Sequence, residues 1–451
     1  MSSTKKYNYP KQLSIVRFLF NAESIRKNPI PFHKKYFDQF GDSFSLKIGK
    51  TKHVILSRDN DVAEYILQKN QKNYQKSELQ TKFISKYLGK GLLTANGDFW
   101  LKQRRLIQPA FHKQKMNQLV QNMQQTIVSE LKNLPEEKTV SLFPIMNQLA
   151  FNVVAKSLFH ISATEEKMNR LKIIISDVQE FLIKEIRLPY KGWWFKMSGQ
   201  IKKHQELALE SDAIIKEIVE ERIKSNTKQK DLLDMLLETR YEDTGEGMST
   251  QQLIDEIKIL FIAGHETTAN ALTFTLHLLG NHPEIQQKIW DELIDIELET
   301  NDFIEQLQKM TYTNAVINES MRLYPPAWIT DRENIADDEL LGYKIKDKTL
   351  IGVSFYELHR NPKYWENPEE FNPERFLGEQ KKESYKYFYP FGAGPRMCIG
   401  LGFAMYEMSL TLSYIIKKYK ITSHKKDIQV NPLITLKPVG VEVSFLKRDG
   451  K

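Results

Sequence analysis

One short segment of the chain combines residue types that suit the binding of a metal. The segment Phe391-Gly-Ala-Gly-Pro-Arg-Met-Cys-Ile-Gly400 contains Cys398, the only cysteine among 451 residues. One thiol cannot form an internal disulfide or a multi-cysteine zinc cluster, which leaves a packed core residue, a nucleophile or an axial metal ligand. Glycines let the backbone approach a large flat group, and Arg396 adds positive charge two residues from the thiol. The pattern Phe-x-x-Gly-x-Arg-x-Cys-x-Gly therefore favours an axial metal ligand over the other two roles. Coordination to the metal would complete the deprotonation of the thiol.

A second segment places an acid beside a hydroxyl in the middle of a long helical pattern. It reads Ala263-Gly-His-Glu-Thr-Thr268. Glycine and adjacent threonines are poor residues for a helix interior, so a kink or a function must explain them. Gly264 lets a flat ligand approach the backbone, and Glu266 with Thr267 supplies the acid and the hydroxyl of a proton relay. By itself the segment also fits a kinked core helix with an exposed glutamate.

With these two segments, the sequence resembles the cytochrome P-450 family of haem-thiolate monooxygenases. The resemblance rests on five motifs, which occur in the family's order from Trp100 to Gly400. It implies that Cys398 ligates the iron of haem b as a thiolate, a ligation that favours O–O cleavage. Phe391 would pack against the ligand loop and the haem, and Arg396 would reach a haem propionate.

The resemblance also assigns the residues of the long helix. Thr267 would hold the iron-bound oxygen and its water, Glu266 would deliver protons, and Gly264 would lie against the haem. His265 occupies the family's variable position and is expected to be a hydrogen-bonded helix residue rather than a second iron ligand. Ala263 and His265 would also contact the substrate. Because peroxide-using relatives lack this acid–alcohol pair, dioxygen with two electrons is the expected oxidant.

A third pattern concerns support of the cysteine loop. Glu319 and Arg322 are three residues apart and meet on one helix face, where most such pairs are weak surface salt bridges. The segment Pro373-Glu-Arg-Phe376 follows, which matches an element that the family locks onto its Glu-x-x-Arg pair. The resemblance therefore implies that Arg322 and Arg375 bracket Glu319 and support the haem loop without taking part in chemistry.

Trp100-Leu-Lys-Gln-Arg104 places an indole N–H and a guanidinium one helical turn apart, a spacing that can clamp a carboxylate. An amphipathic helix with Trp100 in the core is the alternative. In the family this helix binds the haem propionates, and Arg332 aligns with a frequent third contact. Together with Arg396, these arginines would provide the positive charge that two buried carboxylates require.

The substrate contacts follow from the resemblance alone. The family draws its pocket from segments that correspond here to residues 74–93, 180–197, 261–265 and 327–330. Trp328 is large for a position that faces the haem and would shrink the cavity, and Leu436 would line it from the last β region. These residues predict hydroxylation or oxidative O-demethylation of a small substrate, such as a methoxylated ring or sugar.

Two features leave the substrate class open. The segment 263–268 resembles the helix of fatty-acid hydroxylases, and a medium-chain fatty acid would need a cationic anchor such as Lys76, Lys82 or Lys191. The segment 188–196 mixes aromatic residues with lysines, which predicts either an entrance flap or a packed loop between helices.

Hydrophobic periodicity predicts a mainly α fold with small β-sheets. Helical patterns occur at 62–70, 98–112, 116–133, 142–159, 166–186, 200–224 and 251–280. Alternating patterns predict a hairpin around Gly49 and β regions at 342–354 and 432–446. The resemblance implies the family's triangular helical prism around haem, in a single domain from residue 1 to 451.

The longest helix also carries start and stop signals. Ser249 followed by Gln252 has the pattern of a capping box, and Gly280 with Pro283 marks the end.

Composition narrows the class of protein and its partners. A hydrophobic share of 41% with 27% charged residues suits a large globular protein. The net charge of +8 would suit nucleic acid, an anionic membrane or an acidic protein, but no nucleic-acid-binding motif accompanies it. No signal peptide or membrane anchor is recognised, which predicts a cytoplasmic enzyme. We expect a monomer that takes electrons from a separate ferredoxin or flavodoxin with its reductase, because the chain ends soon after the cysteine loop.

Two other functions remain open from the sequence. A non-catalytic haem-thiolate sensor would keep Cys398 but would not need Glu266 and Thr267. A peroxide-driven haem enzyme would also dispense with that pair. Coupling of electron supply to product would distinguish a monooxygenase from both.

Overall fold

Helices make up most of this chain. The computed structural model describes residues 7–49, 52–160, 165–225, 228–299 and 303–448. Within these ranges the α-helices are α1 (Ile15–Phe20), α2 (Ala22–Lys27), α3 (Ile30–Phe40), α4 (Asn60–Glu64), α5 (Ser85–Leu88), α6 (Gly97–Ile107), α7 (Lys113–Leu131), α8 (Leu142–Val153), α9 (Glu165–Arg187), α10 (Gly192–Met197), α11 (Gln200–Ser225), α12 (Leu232–Glu238), α13 (Thr250–Gly280), α14 (Pro283–Leu293), α15 (Phe303–Lys309), α16 (Thr311–Leu323), α17 (Phe355–Leu358), α18 (Gln380–Ser384) and α19 (Leu401–Lys418). Helices α4 and α8 continue into wider π turns at Tyr65–Lys69 and Val154–Leu158.

The described strands form four small sheets. The strands are β1 (Gln12–Leu13), β2 (Ser43–Ile48), β3 (Lys52–Ser57), β4 (Tyr74–Gln75), β5 (Thr139–Ser141), β6 (Ile329–Asn334), β7 (Asp338–Leu340), β8 (Tyr343–Ile345), β9 (Leu350–Ser354), β10 (Tyr419–Ser423), β11 (Gln429–Pro432), β12 (Leu436–Val439) and β13 (Glu442–Lys447). The largest sheet has the order β1-β2-β3-β9-β6-β4, and the second has the order β10-β13-β5. Strands β11 and β12 form a third sheet, and β7 and β8 form a fourth. The predicted class, mainly α with small β-sheets, is therefore confirmed.

The β regions predicted from alternation are present, with one division that the pattern did not predict. Strands β2 and β3 form the antiparallel hairpin expected around Gly49. The region predicted at 432–446 belongs to two sheets, because β12 pairs with β11 whereas β13 pairs with β10 and β5. In the pairing of β13 with β5, Glu442 lies opposite Ser141, so segments far apart in the sequence complete one sheet.

Helix α13 is the central element of the fold. The Ser249 hydroxyl accepts a hydrogen bond from the Gln252 amide at 3.2 Å, and the helix ends at Gly280, as its start and stop signals predicted. Its 31 residues span roughly 45 Å at the helical rise. Helices α8, α11, α16 and α19 pack around it, so its polar side chains must find partners inside the protein. Among the described residues, no helix has the length and apolar character that crossing a membrane requires.

Candidate active site

The loop before α19 holds Cys398 in a fixed backbone conformation. The Cys398 amide donates to the Phe391 carbonyl oxygen at 2.9 Å, which closes the loop on itself. Gly392 and Gly394 have φ angles of 70° and 69°, in the left-handed region that favours glycine. A Cβ atom on Gly394 would lie 1.9 Å from the Leu67 carbonyl oxygen, so the loop packs directly on the π turn after α4.

The Cys398 thiol lies in an enclosed position but keeps accessible surface. Part of the Cys398 surface is accessible to solvent, although protein surrounds the thiol. A side chain with both properties lines an internal space. No group of three or more His, Cys, Asp or Glu residues in the described chain could hold a metal ion. A metal bound by Cys398 would therefore need a cofactor to supply its other ligands.

The charge next to the thiol comes from Arg104 and not from Arg396. Burial raises the pKa of Cys398, whereas the Gly400 amide and the Arg104 guanidinium lower it. Arg104 donates from Nη1 to the Met397 carbonyl oxygen at 2.9 Å. A bound metal cation would supply the further stabilisation that the thiolate needs.

Arg396 points away from the thiol towards the start of α6. It donates to the Ala95 carbonyl oxygen at 2.9 Å and to Asn96 Oδ1 at 3.1 Å, and it lies over the Trp100 ring at 4.1 Å. The clamp expected from Trp100 with Arg104 stays a prediction, whereas a contact between the Trp100 ring and Arg396 is present. Sequence spacing within one helix could not predict this, because Arg396 comes from a loop far along the chain.

Three cations form a buried cluster beside this loop. Burial and the charges of Arg332 and Arg396 lower the pKa of Lys76 well below its usual value, and the Asp331 carboxylate opposes this only in part. Lys76 donates to the Leu93 carbonyl oxygen, and Arg332 donates to the Asp331 carbonyl oxygen at 2.7 Å and to Thr330 Oγ1 at 3.2 Å. No hydrogen bond in the described chain joins any of the three to a carboxylate.

This cluster has the chemistry of a site for a dianion. Uncompensated buried cations are strongly unfavourable, and an anionic group between them would remove the repulsion. A cofactor with two carboxylates, such as haem, fits these residues. The sequence predicts Lys76 only as a possible anchor for a substrate carboxylate. The pairing of Gln75 in β4 with Glu333 in β6 places it beside Arg332, a register that the sequence did not show.

One strip of α13 is open to an internal space. Ala263 is exposed and Gly264 and Thr267 are partly exposed, although most neighbouring residues of the helix are buried. Positions i, i+1 and i+4 lie on one face of a helix, so these residues border the same space. The Thr267 hydroxyl donates to the Ala263 carbonyl oxygen at 2.6 Å, and Thr268 donates to Gly264 at 3.0 Å. These bonds weaken the regular hydrogen bonding of the helix at this strip.

Glu266 belongs to a buried polar cluster that the sequence did not predict. Burial raises the pKa of Glu266, while the nearby Lys437 charge and hydrogen bonds from Thr435 and Gln179 lower it. Asn270 Nδ2 donates to Thr435 Oγ1 at 3.1 Å, which leaves the threonine hydroxyl hydrogen for Glu266. Thr435 and Lys437 come from the turn and strand around β12, and no motif marked them as partners of α13.

His265 makes the helix hydrogen bond expected of it. Its Nδ1 atom lies 2.7 Å from the Phe261 carbonyl oxygen, and its ring meets Phe151 edge-on at 5.5 Å. Burial lowers the pKa of His265 to about 4, so the ring is neutral. Its exposed fraction of 4% leaves little surface for the predicted contact with substrate.

Trp328 and Leu436 belong to one buried apolar cluster with Ile30 and Phe274. The Trp328 indole donates from Nε1 to the Leu433 carbonyl oxygen at 3.0 Å, and its ring stacks on His33 at 6.0 Å. Leu436 belongs to the same apolar cluster and is fully buried. A buried indole N–H needs an acceptor, and the Leu433 carbonyl fixes its direction. Ala327, one residue earlier, is the exposed member of this turn.

Glu319, Arg322 and Arg375 come together as the motifs implied. Arg322 donates from Nε and Nη2 to the two Glu319 oxygens, each at 2.8 Å, and Arg375 Nε lies 3.4 Å from Glu319 Oε1. Arg322 also donates to the carbonyl oxygens of His359, Pro368 and Glu370 at 2.8, 2.7 and 2.9 Å. The pair therefore ties the segment before the cysteine loop to α16.

A buried carboxyl group lies between α19 and the middle of α13. Glu407 is fully buried, and neither of its oxygens has a hydrogen-bond partner. The Thr268 hydroxyl is its nearest polar neighbour, but that hydroxyl donates to Gly264 instead. Burial raises the pKa of Glu407 well above its usual value. Helix α19, which follows Cys398, thus packs on α13 near Thr268.

The chain is similar to one protein family along nearly its whole length. A family model described as Cytochrome P450 matches residues 8–445. Cyclooctat-9-en-7-ol 5-monooxygenase of Streptomyces melanosporofaciens is 29% identical over 407 residues, which cover 90% of this chain and 88% of that protein. Cytokinin hydroxylase of Arabidopsis thaliana is 30% identical over 401 residues, 86% of this chain and 77% of that protein. A crystal structure of the cytochrome P450DA heme domain shares the fold, with a TM-score of 0.84 at 21% identity over 99% of both chains.

Proposed function

This chain belongs to the cytochrome P450 family and is a cytochrome P450 monooxygenase, and on that premise we propose that it binds haem b through Cys398 and hydroxylates a small apolar substrate. When bound, haem supplies the activation of dioxygen, so that one oxygen atom enters a C–H bond and the other leaves as water. The observation that supports the proposal is that Cys398 keeps accessible surface in the loop before α19, a helix that packs on α13. A purely structural cysteine would have no reason to keep accessible surface there.

The residues around the thiol divide the work of holding the cofactor. In this proposal Cys398 is the iron ligand, and Arg104 fixes the ligand loop by its bond to the Met397 carbonyl. Lys76, Arg332 and Arg396 neutralise the two propionates, since the three cations have only the Asp331 carboxylate as a nearby opposite charge.

Two further groups shape the cofactor site, and a third supports it. Gly264 would meet a flat group only through its backbone, because an added Cβ atom there would face Val154 Cγ2 at 3.0 Å, and the partly buried Phe391 packs beside the ligand loop. Trp100 holds Arg396 through its ring. The contacts of Glu319 with Arg322 and Arg375 keep the loop in place from behind.

Proton delivery is assigned to Glu266 and Thr267. Burial raises the pKa of Glu266, which favours the protonated form that a proton donor needs. Glu266 is also hydrogen-bonded to the Thr435 hydroxyl and the Gln179 amide, which connect it to further polar groups. Thr267, partly accessible on the open strip, positions the oxygen that receives the proton.

The accessible lining favours an apolar substrate. Ala263 and Ala327 are exposed, and Leu92 and Leu93 are partly exposed. When the attacked carbon carries an ether oxygen, the same reaction gives O-demethylation. The relatives named above act on cyclooctat-9-en-7-ol and cytokinin, and we propose a ring compound of similar apolar character here. Trp328 is buried and donates to the Leu433 carbonyl oxygen, so it gives no separate support for a methoxylated ring as the substrate.

A fatty acid is the less favoured substrate. Lys82 forms an ion pair with Glu78 at 2.6 Å, and Lys76 is enclosed in the cation cluster. Neither is a free anchor for a substrate carboxylate.

Electron supply is assigned to a separate acidic protein. We propose a ferredoxin or flavodoxin with its reductase, since the chain carries a net charge of +8 and Arg105 is exposed beside the Cys398 loop. We further propose that the chain works as a monomer with one catalytic unit in the cytoplasm.

Reconstitution tests this function. The holoprotein is mixed with NAD(P)H, a ferredoxin and its reductase, and apolar ring compounds chosen by their shift of the Soret band. We expect a hydroxylated product whose new oxygen comes from labelled dioxygen, with product formed only while electrons are supplied. Label from water, or product formed with peroxide alone at the same rate, would contradict the proposal.

A further inference from the structure

Two neighbouring acids near the start of α13 take no part in the site described so far. Asp255 is 8% exposed and Glu256 is fully buried. The ion pairs of α13 in the described chain include that of Lys258 with Asp212 but involve neither Asp255 nor Glu256. Burial of a carboxylate without a cation is strongly unfavourable unless other groups bind it. These two acids must therefore have another partner.

Their partner is the loop between α5 and α6. Asp255 Oδ2 accepts a hydrogen bond from the Lys90 amide at 2.8 Å, and Glu256 Oε2 accepts one from the Leu92 amide at 3.1 Å. Gln252 donates from Nε2 to the Lys90 carbonyl oxygen at 3.0 Å and to Glu256 Oε1 at 3.1 Å. These bonds fix residues 89–94, the held segment, on α13.

The held segment has a glycine at each point of closest approach to the acids. A Cβ atom on Gly89 would lie 2.3 Å from Asp255 Oδ1, and one on Gly91 would lie 2.6 Å from Glu256 Oε2. Gly89 also has a φ of 79°, which favours glycine. Another residue at either point would displace the carboxylate, so the acids and the glycines form one fitted contact.

The far end of this loop is bound by cations. The Leu93 carbonyl oxygen accepts from Lys76, and the Ala95 carbonyl oxygen accepts from Arg396 at 2.9 Å. The loop is thus bound by the acids of α13 on one side and by the cation cluster on the other. Leu92 and Leu93 lie between these two attachments, and both are partly exposed.

Glu256 lies on the same face of α13 as the open strip. Ala263 and Thr267 follow Glu256 by seven and eleven residues, spacings that return to one helix face after two and three turns. The shorter of these spacings corresponds to roughly 10 Å along the helix axis. Leu92, which is bound to Glu256, therefore lies next to the N-terminal end of the open strip.

We propose that Asp255 and Glu256 are positioning residues that fix the held segment beside the open strip and thereby set the fit of ring-sized substrates. This assignment rests on the proposed function, because it takes the open strip as one wall of the substrate space. Leu92 and Leu93 provide a second, apolar wall, and the two acids keep that wall in place. Neither acid contacts the substrate or the haem.

Burial of Glu256 makes the contact sensitive to pH. Burial raises the pKa of Glu256 to about 7, the Leu92 amide and Gln252 lower it in part, and the Asp255 charge raises it. The other charged groups on the surrounding elements are the ion pairs of Lys258 with Asp212 and of Lys86 with Glu185, and the exposed Lys90. An ionised Glu256 gains water when the held segment leaves. The segment is therefore held most firmly below a pH of about 7, and the hold weakens above it.

Two isocyanides of different size test the fit in the holoprotein. Methyl isocyanide reaches little beyond the haem iron, whereas cyclohexyl isocyanide also fills the space above it, and neither titrates near neutral pH. At a pH of about 6, Glu256→Ala and Asp255→Ala should each lower the affinity for cyclohexyl isocyanide about tenfold and that for methyl isocyanide less than about twofold. Glu256→Gln keeps an acceptor for the Leu92 amide and should recover most of the affinity.

The matched control is Glu292→Ala, which should change neither affinity. Glu292 also accepts hydrogen bonds from two backbone amides, those of Tyr312 and Thr313, but these belong to the start of α16. Loss of a structural carboxylate by itself is thereby separated from loss of the held segment. Equal loss of both isocyanides in the Glu256 and Asp255 variants, or no loss, overturns the proposal.

The pH profile and hydrogen exchange complete the test. Between a pH of about 6 and about 8.5, the affinity of the wild type for cyclohexyl isocyanide should fall several-fold, and Glu256→Gln should remove this dependence. Exchange at residues 89–94 should quicken in both alanine variants but not in Glu292→Ala, a readout that needs no bound haem. A profile that Glu256→Gln leaves unchanged, or unaltered exchange, overturns the proposal. A wild type without the thiolate band in its carbon monoxide spectrum would contradict the proposed function, and exchange would still decide the role of the acids.

Discussion

At the scale of single residues, charge is separated across the interior of the site. Lys76, Arg332 and Arg396 form the basic side, where each lacks a carboxylate partner among the described residues. Glu266 and Glu407 lie on the side of α13 and α19, and burial raises the pKa of both. The basic side suits an anionic cofactor, and burial on the other side favours the protonated form of both carboxyl groups.

The thiolate ligand has a spectroscopic test. In Cys398→Ser, the reduced protein with carbon monoxide should lose the red-shifted Soret band of thiolate ligation, because a serine hydroxyl stays protonated. Haem bound by the propionate contacts can remain. A wild-type spectrum typical of histidine ligation would refute the assignment.

Thr267 is tested by the fate of electrons. Thr267→Ala removes the hydroxyl that bonds the Ala263 carbonyl on the open strip, while haem binding should persist. We expect about tenfold or more loss of product per NAD(P)H consumed, with the difference recovered as hydrogen peroxide. Thr273→Ala, which removes an equivalent bond to the Ala269 carbonyl at 2.7 Å, is the matched control. Unchanged coupling in Thr267→Ala would mean that proton delivery follows another route.

Glu407 gives a prediction about stability and pH. Its pKa in the folded protein lies well above the ordinary value of 4.5. The contribution of Glu407 to stability is therefore fully present at a pH below the pKa of the unfolded state, and it is lost as the pH rises through the pKa of the folded state. Glu407→Gln removes this loss, so its free energy of unfolding should exceed that of the wild type by about 1–3 kcal/mol at alkaline pH. Urea unfolding between pH 4 and pH 9 measures the difference, and a gap that does not widen with pH would contradict it.

At the scale of elements, the sequence predicted pieces whose signals are local. Helix α13 has its cap, its stop and its unusual Ala263–Thr268 segment in one stretch of chain, and all three appear where they were expected. The glycines and the cysteine of the ligand loop were likewise visible together. Alternation predicted β2 and β3 because each strand has one buried face.

What the sequence could not predict depends on contacts between distant segments. The direction of Trp328 is set by the carbonyl of Leu433, and the neighbours of Glu266 come from the β12 region. Lys76 meets Arg332 through the register of β4 on β6. No periodicity or motif in the sequence marks these pairs, because only tertiary packing brings their residues together.

The ligand loop as an element is tested by two glycines. Gly394→Ala places a Cβ atom 1.9 Å from the Leu67 carbonyl oxygen, so the loop must move. We expect loss of more than about 3 kcal/mol in stability together with loss of bound haem. Gly392→Ala is the control, since its φ of 70° is similar and nothing lies within 4 Å of the new atom. It should lower stability by only about 1–2 kcal/mol and retain haem. Equal haem loss in the two variants would contradict the role of the Leu67 contact.

At the scale of the whole molecule, the net charge of +8 predicts how electrons arrive. Turnover at limiting ferredoxin should slow several-fold as ionic strength rises from about 10 mM to about 0.5 M, because salt screens the encounter of opposite charges. An acidic partner should outperform a neutral one at low salt. Rates that are independent of salt would count against electrostatic docking, and turnover measured at saturating partner is the control for salt effects on chemistry.

The pairing of β5 with β13 constrains when this protein can be completed during its synthesis. Ser141 lies opposite Glu442, so the strand at 139–141 has no partner until residues 442–447 have left the ribosome. Most of the helices are translated between β5 and β13, so they form while the edge of β5 is still unpaired. An exposed strand edge can pair with other chains, so we expect association of newly made copies through this edge to be greatest during that interval.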